Sequence, residues 1–294
     1  MTAQLISGEA IAAGIRAEVA GGVQALLRRG TTPGLAVILV GDDPASVSYV
    51  TGKARDCEEV GINATTLRLP AVTTEAALLA EIDRLNADPG THAILPQLPL
   101  PKHIDEQTII DRIDPLKDAD GLHPANLGRL LRGEVTGPLP CTPHGVMQML
   151  SRSGIEVAGK HAVVVGRSTL VGRPLSVLLS NKAAGANATV TLCHTGTPDI
   201  GEHTRRADIV VLAAGRPGTL TADMVKPGAA VIDVGTNRID DASRKRGWRL
   251  VGDADFPAVK EVAGHLTPVP GGVGPMTRAM LLVNTLTAAE RHGR

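Results

Sequence analysis

Apolar positions along the chain alternate between two periods. They recur at helical spacing over Ser7–Arg29, with Ser7 placed as a cap, and again over Ser46–Val60, Thr74–Asp88 and Asp105–Ile113. Between these lie short apolar or β-branched runs that read as strands: Gly34–Val40, Ile62–Leu69 and His92–Leu95. Strand and helix in turn predict a parallel sheet with helices on both faces. The proline-rich stretch from Pro138 marks a boundary, and the helix Pro143–Arg152 bridges to a second unit. Further strands are expected at Ala162–Val165, Thr189–Cys193, Ile209–Ala213 and Ala229–Val234. The turn-rich Leu266–Pro275 then precedes a long amphipathic helix, Met276–Arg291, expected to return to the first unit. The expected fold class is α/β, with two three-layer αβα domains and a cleft between them: residues 1–140 plus 276–294, and residues 141–275 as a Rossmann-type dinucleotide-binding domain.

The stretch His161–Leu179, HAVVVGRSTLVGRPLSVLL, sets a buried strand, a glycine turn and a helix start in immediate succession. Gly166 ends the strand where backbone must approach an anion, and helix amides from about Gly172 would face a pyrophosphate. The strict GxGxxG spacing is not met. Gly166 fits the first glycine, Ser168 and Val171 occupy the second and third, and Gly172 comes one residue late. A turn whose glycines serve packing alone is the alternative.

Length and charge narrow the picture. At 294 residues there is room for two domains with real cores. Lys plus Arg and Asp plus Glu both total 30, so neither nucleic acid nor a membrane surface is an expected partner. The start, MTAQLISGEAIAAG, lacks a basic leader region, and no apolar run approaches the roughly 20 residues that cross a bilayer. A cytoplasmic protein is expected. Cys57, Cys141 and Cys193 are odd in number and far apart, which fits neither a disulfide framework nor a zinc site. With one Trp, one Tyr and one Phe the core must be aliphatic.

Tyr49 and Lys53 stand four apart in a predicted helix, so an aromatic ring and an amine share one face. A surface pair with a snorkelling lysine is the plain reading. Favouring a site, Tyr49 is the only tyrosine and follows the loop GDDPASVS at a strand end, where α/β folds place ligands. The same spacing marks short-chain dehydrogenases, but there the pair lies downstream of the nucleotide loop. Here it lies upstream. LPQLPLP, Leu95–Pro101, forms a stiff rim on which Gln97 alone offers both donor and acceptor. Asp118 and Asp120 in KDADGLHP read either as a solvated cluster or as carboxylates beside a pocket. His123, His144, His194 and His265 have no metal-ligand spacing, so no metal is expected.

Seven collinear motifs, YVTGK, PQLPLP, KDADGLHP, PCTP, VVGRSTLVGRP, VIDVGTNR and TPVPGGVGPMT, span residues 49–277. Together they resemble the FolD-type methylenetetrahydrofolate dehydrogenase/methenyltetrahydrofolate cyclohydrolase family. The resemblance implies oxidation of 5,10-methylenetetrahydrofolate by NADP to the methenyl cation, then hydrolysis to 10-formyltetrahydrofolate. It implies that Lys53 carries protons in hydrolysis, its basicity lowered by burial and by the cationic substrate, with Gln97 orienting the amine. It further implies that Tyr49 stacks on the folate rings, Asp120 accepts hydrogen bonds from the pterin, and Pro270, Gly271 and Gly272 border the same pocket. For the cofactor it points to Gly166, Arg167, Ser168, Thr195, Thr197 and Thr236, and for assembly to a homodimer.

Three positions depart from the family pattern. Relatives often carry Arg or Lys where Gly196 stands, so NAD use stays open beside NADP. Pro96 replaces an aliphatic residue before Gln97, and Arg278 replaces an apolar one. The competing readings are another two-domain NAD(P)-dependent dehydrogenase, acting on an amino or hydroxy acid, and a folate-binding relative without catalysis.

Overall fold

A computed structural model describes residues 2–244 and 246–292. In chain order the first elements are β1 (Gln4–Leu5), α1 (Gly8–Leu27), β2 (Gly34–Val40), α2 (Pro44–Val60), β3 (Asn63–Leu69), α3 (Glu75–Ala87) and β4 (Ala93–Pro96). Then come α4 (Glu106–Arg112), α5 (Pro124–Leu131), α6 (Cys141–Arg152), β5 (His161–Val165), α7 (Gly172–Ser180), β6 (Thr189–Cys193) and α8 (Ile200–Thr204). The remainder is β7 (Ile209–Leu212), β8 (Ala230–Asp233), β9 (Asn237–Asp240), β10 (Trp248–Val251), α9 (Phe256–Lys260), β11 (His265–Leu266) and α10 (Val273–His292). Two compact units result, one from residues up to Ala12 with Thr142–Thr277, the other from Ala13–Cys141 with Arg278 onward.

The Ala13–Cys141 unit holds a parallel sheet in the order β3-β2-β4. All seven residues of β2, GLAVILV, are buried, as a central strand with two covered faces requires. Ile38, Leu78, Ile82, Ile94 and Ile109 pack one side of its core. Beyond β4 the chain returns in a single parallel bridge, Ile94 to Asp118. Ile94 N–H donates to the Lys117 carbonyl at 2.7 Å and Ala119 N–H to the Ile94 carbonyl at 3.2 Å. The segment KDADG is thus held along the sheet rather than looping free.

The other unit contains a six-stranded sheet, parallel throughout, in the order β1-β11-β8-β7-β5-β6. Its core is aliphatic, built on Val163, Val165, Val210, Leu212, Val231 and Leu266. The two-residue strand β1 pairs with β11, Gln4 opposite His265, so the N-terminal residues belong with this sheet and not with the first unit as expected. A strand that short has no periodicity to read, and its partner lies far along the chain. The same holds for β11, while the antiparallel β9–β10 hairpin and the short α5, α8 and α9 lie in segments to which the sequence reading assigns no particular element.

By length and composition α1 is apolar enough to cross a bilayer, contrary to the reading of the sequence. Its six alanines add to the hydropathy of Ile11, Ile15, Val19, Val23, Leu26 and Leu27. Ala12, Ile15, Val19, Val23 and Leu26 are buried at intervals of three or four, which gives the helix one apolar stripe.

On α6, His144 is desolvated and its imidazole pulled down to about 4, with Nδ1 unpartnered and Nε2 3.4 Å from the Gln148 amide nitrogen. An unfolded histidine titrates near about 6.5. Between those values the unfolded chain binds the extra proton, so this group removes stability as pH falls through that window. His144→Leu is expected to flatten the pH dependence of unfolding there by about one proton, roughly 1.4 kcal/mol per pH unit. Denaturant melts at stepped pH would show it, and an unchanged slope would contradict the assignment.

Candidate active site

Helix α2 positions the amine. Asp43 caps it, its Oδ2 accepting from Ser46 N–H at 2.8 Å, and Pro44 suits its first turn. Gly61, at φ +82°, ends it in the left-handed conformation that relieves the last carbonyls. Tyr49 and Lys53 fall one turn apart on one face. Lys53 is only 9% exposed, whereas Tyr49 is 52% exposed, leaving its ring open to a stacking partner. The Lys53 ammonium donates to Gln97 Oε1 at 2.9 Å. Gln97 is fixed in turn, its backbone N–H donating to Ile38 O at 2.8 Å and its Nε2 to Leu98 O at 2.7 Å. With the NH2 engaged, the amide oxygen is the end left for the lysine. Pro96 pairs with Ile38 at the end of β4 and does not displace Gln97.

Asp120, in the KDADG segment, lies near enough for the Lys53 charge to act on it. Burial raises its carboxyl above the ordinary range, and the nearby Lys53 charge opposes that rise. Three anchors fix its backbone. Lys117, desolvated and lowered for that reason, donates to the Leu85, Asn86 and Asp88 carbonyls at the end of α3, at 3.1, 2.8 and 2.7 Å. Asp118 accepts from Gly121 N–H, His123 N–H and Asn126 Nδ2 at 3.0, 2.8 and 2.9 Å. From α10, the buried Asn284 donates to the Ala119 and Leu139 carbonyls, both at 2.9 Å. Cys141 lies against this group, its Sγ 3.5 Å from the Ala119 carbonyl, and burial with the Asp120 charge pushes its thiol well above the ordinary range.

Arg278 forms an ion pair with Asp56, Nε to Oδ2 at 2.8 Å, on the helix that carries Lys53. Burial raises the Asp56 carboxyl and Arg278 counters it. A Cβ at Gly52 would stand 2.7 Å from the Arg278 Nη1, so the small residue in YVTGK makes room for the guanidinium.

In the other unit β5 runs into Gly166, at φ +125°, whose N–H donates to Cys193 O at 2.8 Å. A Cβ there would run into the Ala213 carbonyl. At Gly172 a Cβ would run into the Gly166 carbonyl, so the glycine that comes one residue late is the one that lets α7 close on the turn. Ser168 holds the turn, its Oγ accepting from Val171 N–H at 3.1 Å. A cavity of about 520 Å³ opens beyond Gly166, its wall including Arg167, His194, Thr195, Thr197 and Arg216. Thr197 Oγ1 accepts from His194 N–H and His194 Nδ1 from Gly196 N–H, both at 3.0 Å, which shapes this rim. Ser168 and Thr236 are not part of the wall.

Behind the cavity two buried aspartates organise the loops. Asp253 accepts from Ala214 N–H, Gly215 N–H and Asn237 Nδ2 at 2.8, 2.9 and 2.8 Å. Asp233 accepts from Gly235, Asp253 and Ala254 N–H at 2.9, 3.0 and 2.8 Å, yet desolvation lifts its carboxyl to about 6. Pro270, Gly271 and Gly272 lie in this same unit, stacked on the start of α1, where Glu9 N–H donates to Gly271 O at 3.3 Å.

The two units thus offer different chemistry. One holds a buried amine bonded to an amide oxygen, with a buried carboxylate near enough to feel its charge, an arrangement able to move protons. The other offers a side-chain-free turn, hydroxyls and guanidinium groups in one cavity, which suits a phosphate-bearing dinucleotide. Asn284, Asp253 and Arg216 escaped the sequence reading. The GRPG turn was a signal for Arg216, but nothing local distinguishes a buried Asn or Asp from an exposed one.

The family model described as the catalytic domain of tetrahydrofolate dehydrogenase/cyclohydrolase matches residues 6–120, and that of its NAD(P)-binding domain residues 140–293. The chain is 56% identical to the bifunctional protein FolD of Paracidovorax citrulli over 99% of both chains. It resembles the crystal structure of the bifunctional FolD enzyme from Campylobacter jejuni at 46% identity and a TM-score of 0.92, over 98% of this chain and 99% of that one. The Trypanosoma brucei enzyme, solved with NADP and an inhibitor, is 44% identical with a TM-score of 0.93, over 99% of this chain and 98% of that one.

Gly172→Ala, which drives a methyl group into backbone, is expected to cost about 1–3 kcal/mol. Gly21→Ala, in α1 with open space around it, should instead stabilise by up to about 1 kcal/mol. Urea melts of the two variants test the contrast, and equal effects would contradict it.

Proposed function

Since the chain belongs to the tetrahydrofolate dehydrogenase/cyclohydrolase family, we propose that Lys53 is its proton carrier and that Gln97, Tyr49 and Asp120 hold the folate around it. The protein is a bifunctional enzyme of one-carbon folate metabolism. It oxidises 5,10-methylenetetrahydrofolate to 5,10-methenyltetrahydrofolate with NADP, then hydrolyses that product to 10-formyltetrahydrofolate.

NADP, when bound, accepts the hydride. The carbon that releases it is flanked by two nitrogens whose lone pairs stabilise the cation, so this step needs alignment and no base. Hydrolysis asks for more, because water must attack the cationic carbon and the adduct must shed protons. The contact that carries this reading is Lys53 Nζ to Gln97 Oε1 at 2.9 Å, with the Asp120 charge acting on the same amine. Gln97 holds the amine in place while Asp120 accepts hydrogen bonds from the pterin amino and ring NH groups. The open ring of Tyr49 stacks on the folate.

For the cofactor, Gly166 gives the pyrophosphate access to backbone, and Arg167, Thr195 and Thr197 bind around it, with Ser168 holding the turn. β6 ends at Cys193 and His194 without the carboxylate that would bind a free ribose 2′-hydroxyl, which supports NADP over NAD. We also infer a cytoplasmic homodimer. Three free, buried cysteines support the reducing compartment, and the assembly is carried over from the family.

Lys53→Met is expected to lower the hydrolysis of methenyltetrahydrofolate by about 100-fold or more, the scale of a lost acid–base group. Hydride transfer should fall by less than about 10-fold, because alignment alone serves it. The two steps are followed separately, by loss of the methenyl absorbance and by NADPH formation. Equal losses would sink the role given to Lys53.

A further inference from the structure

We propose that Arg216 is a specificity-determining residue of the cofactor cavity, taking the 2′-phosphate of NADP together with Arg167. The proposal rests on the NADP reading above and goes beyond it. Arg167 follows β5 and Arg216 follows β7, and these two strands are paired neighbours, so two guanidinium groups enter one cavity from adjacent loops. Arg216 is exposed, and its guanidinium has neither a hydrogen bond nor an ion pair among the described residues. An unpaired arginine in a cavity wall is available to an anion.

The backbone around it is held still. Just before Arg216, the Ala214 and Gly215 N–H groups donate to the fully buried Asp253 carboxylate at 2.8 and 2.9 Å. Just after it, Thr219 N–H donates to the Asp253 carbonyl at 2.8 Å, and Thr219 Oγ1 donates to the Arg216 carbonyl at 2.7 Å. Little backbone entropy is then lost when the side chain engages a ligand.

The charge balance of the wall points the same way. Asp199, its one carboxylate, is occupied by Gly201 N–H at 2.7 Å and by Arg205 at 3.7 Å. The rim position at Gly196 carries no side chain. The pyrophosphate belongs over the Gly166 turn, where the glycines admit backbone contact. The adenosine ribose belongs at the end of β6, and His194, Thr195 and Thr197 at that end line the same cavity as Arg216. A dianionic phosphomonoester on the ribose therefore shares that cavity with both arginines.

The test is calorimetric titration of the full-length protein and of Arg216→Gln with four probes: NADP, NAD, 2′,5′-ADP and 5′-AMP. Because Arg216 is exposed, the variant should fold as the parent does. Arg216→Gln is expected to weaken NADP and 2′,5′-ADP about tenfold, the scale of one charge-assisted hydrogen bond. NAD and 5′-AMP should change less than about twofold, since they lack the phosphate that Arg216 would meet. Equal weakening of all four probes would overturn the proposal in favour of a pyrophosphate or adenine contact. No change in any of them would overturn it outright. If the parent protein itself bound neither NADP nor 2′,5′-ADP, the NADP reading would fail first, and this assignment with it.

Discussion

Ionisable groups taken out of water must be matched by fixed partners, and in this protein that requirement shapes both units. A carboxylate or ammonium moved into a poorly solvated site loses several kcal/mol of hydration, roughly, unless hydrogen bonds or an opposite charge replace it. The Ala13–Cys141 unit meets the demand with backbone. Lys117 spends its ammonium on three carbonyls at the end of α3, and Asp118 spends its carboxylate on two N–H groups and an amide. Both are therefore scaffolding, and they leave Asp120, two residues beyond Asp118, as the carboxylate not taken up by backbone.

The second unit solves the same problem with two carboxylates and no cation. Asp233 and Asp253 each take three N–H donors, largely from loops that would otherwise have nowhere to send them. Loops that must present backbone to a phosphate cannot also be tied into a sheet. Buried acids behind them supply the missing acceptors. Gly235 and Gly252 are small for the same reason, because a Cβ at either would meet the carboxylate of the other loop's aspartate.

Much of this was legible in the chain because periodicity reports faces. The strands β2 and β5 and the helices α1 and α3 follow from where apolar residues recur. Lys53 and Gln97 were legible by type, and the hydrogen bond between them needed the sheet that brings Ile38 alongside Pro96. What stayed hidden has a common cause. The strands β1 and β11 have two residues each, too short for any period, and their pairing joins positions at opposite ends of the chain. Asn284 sits in a helix whose composition looks ordinary, so its role as clamp for the Ala119 carbonyl depends wholly on tertiary contact. Arg278, an anomaly in the sequence, became intelligible only beside Asp56.

Cys141 gives the site a chemical quietness. A thiolate is among the strongest nucleophiles a protein can offer, and the methenyl carbon is an electrophile that such a group would trap as a sulfur adduct. Burial and the neighbouring Asp120 keep the sulfur protonated, and its contact with the Ala119 carbonyl turns the S–H inward. A protonated, inward-held thiol does not compete with water as nucleophile, which is the outcome hydrolysis requires.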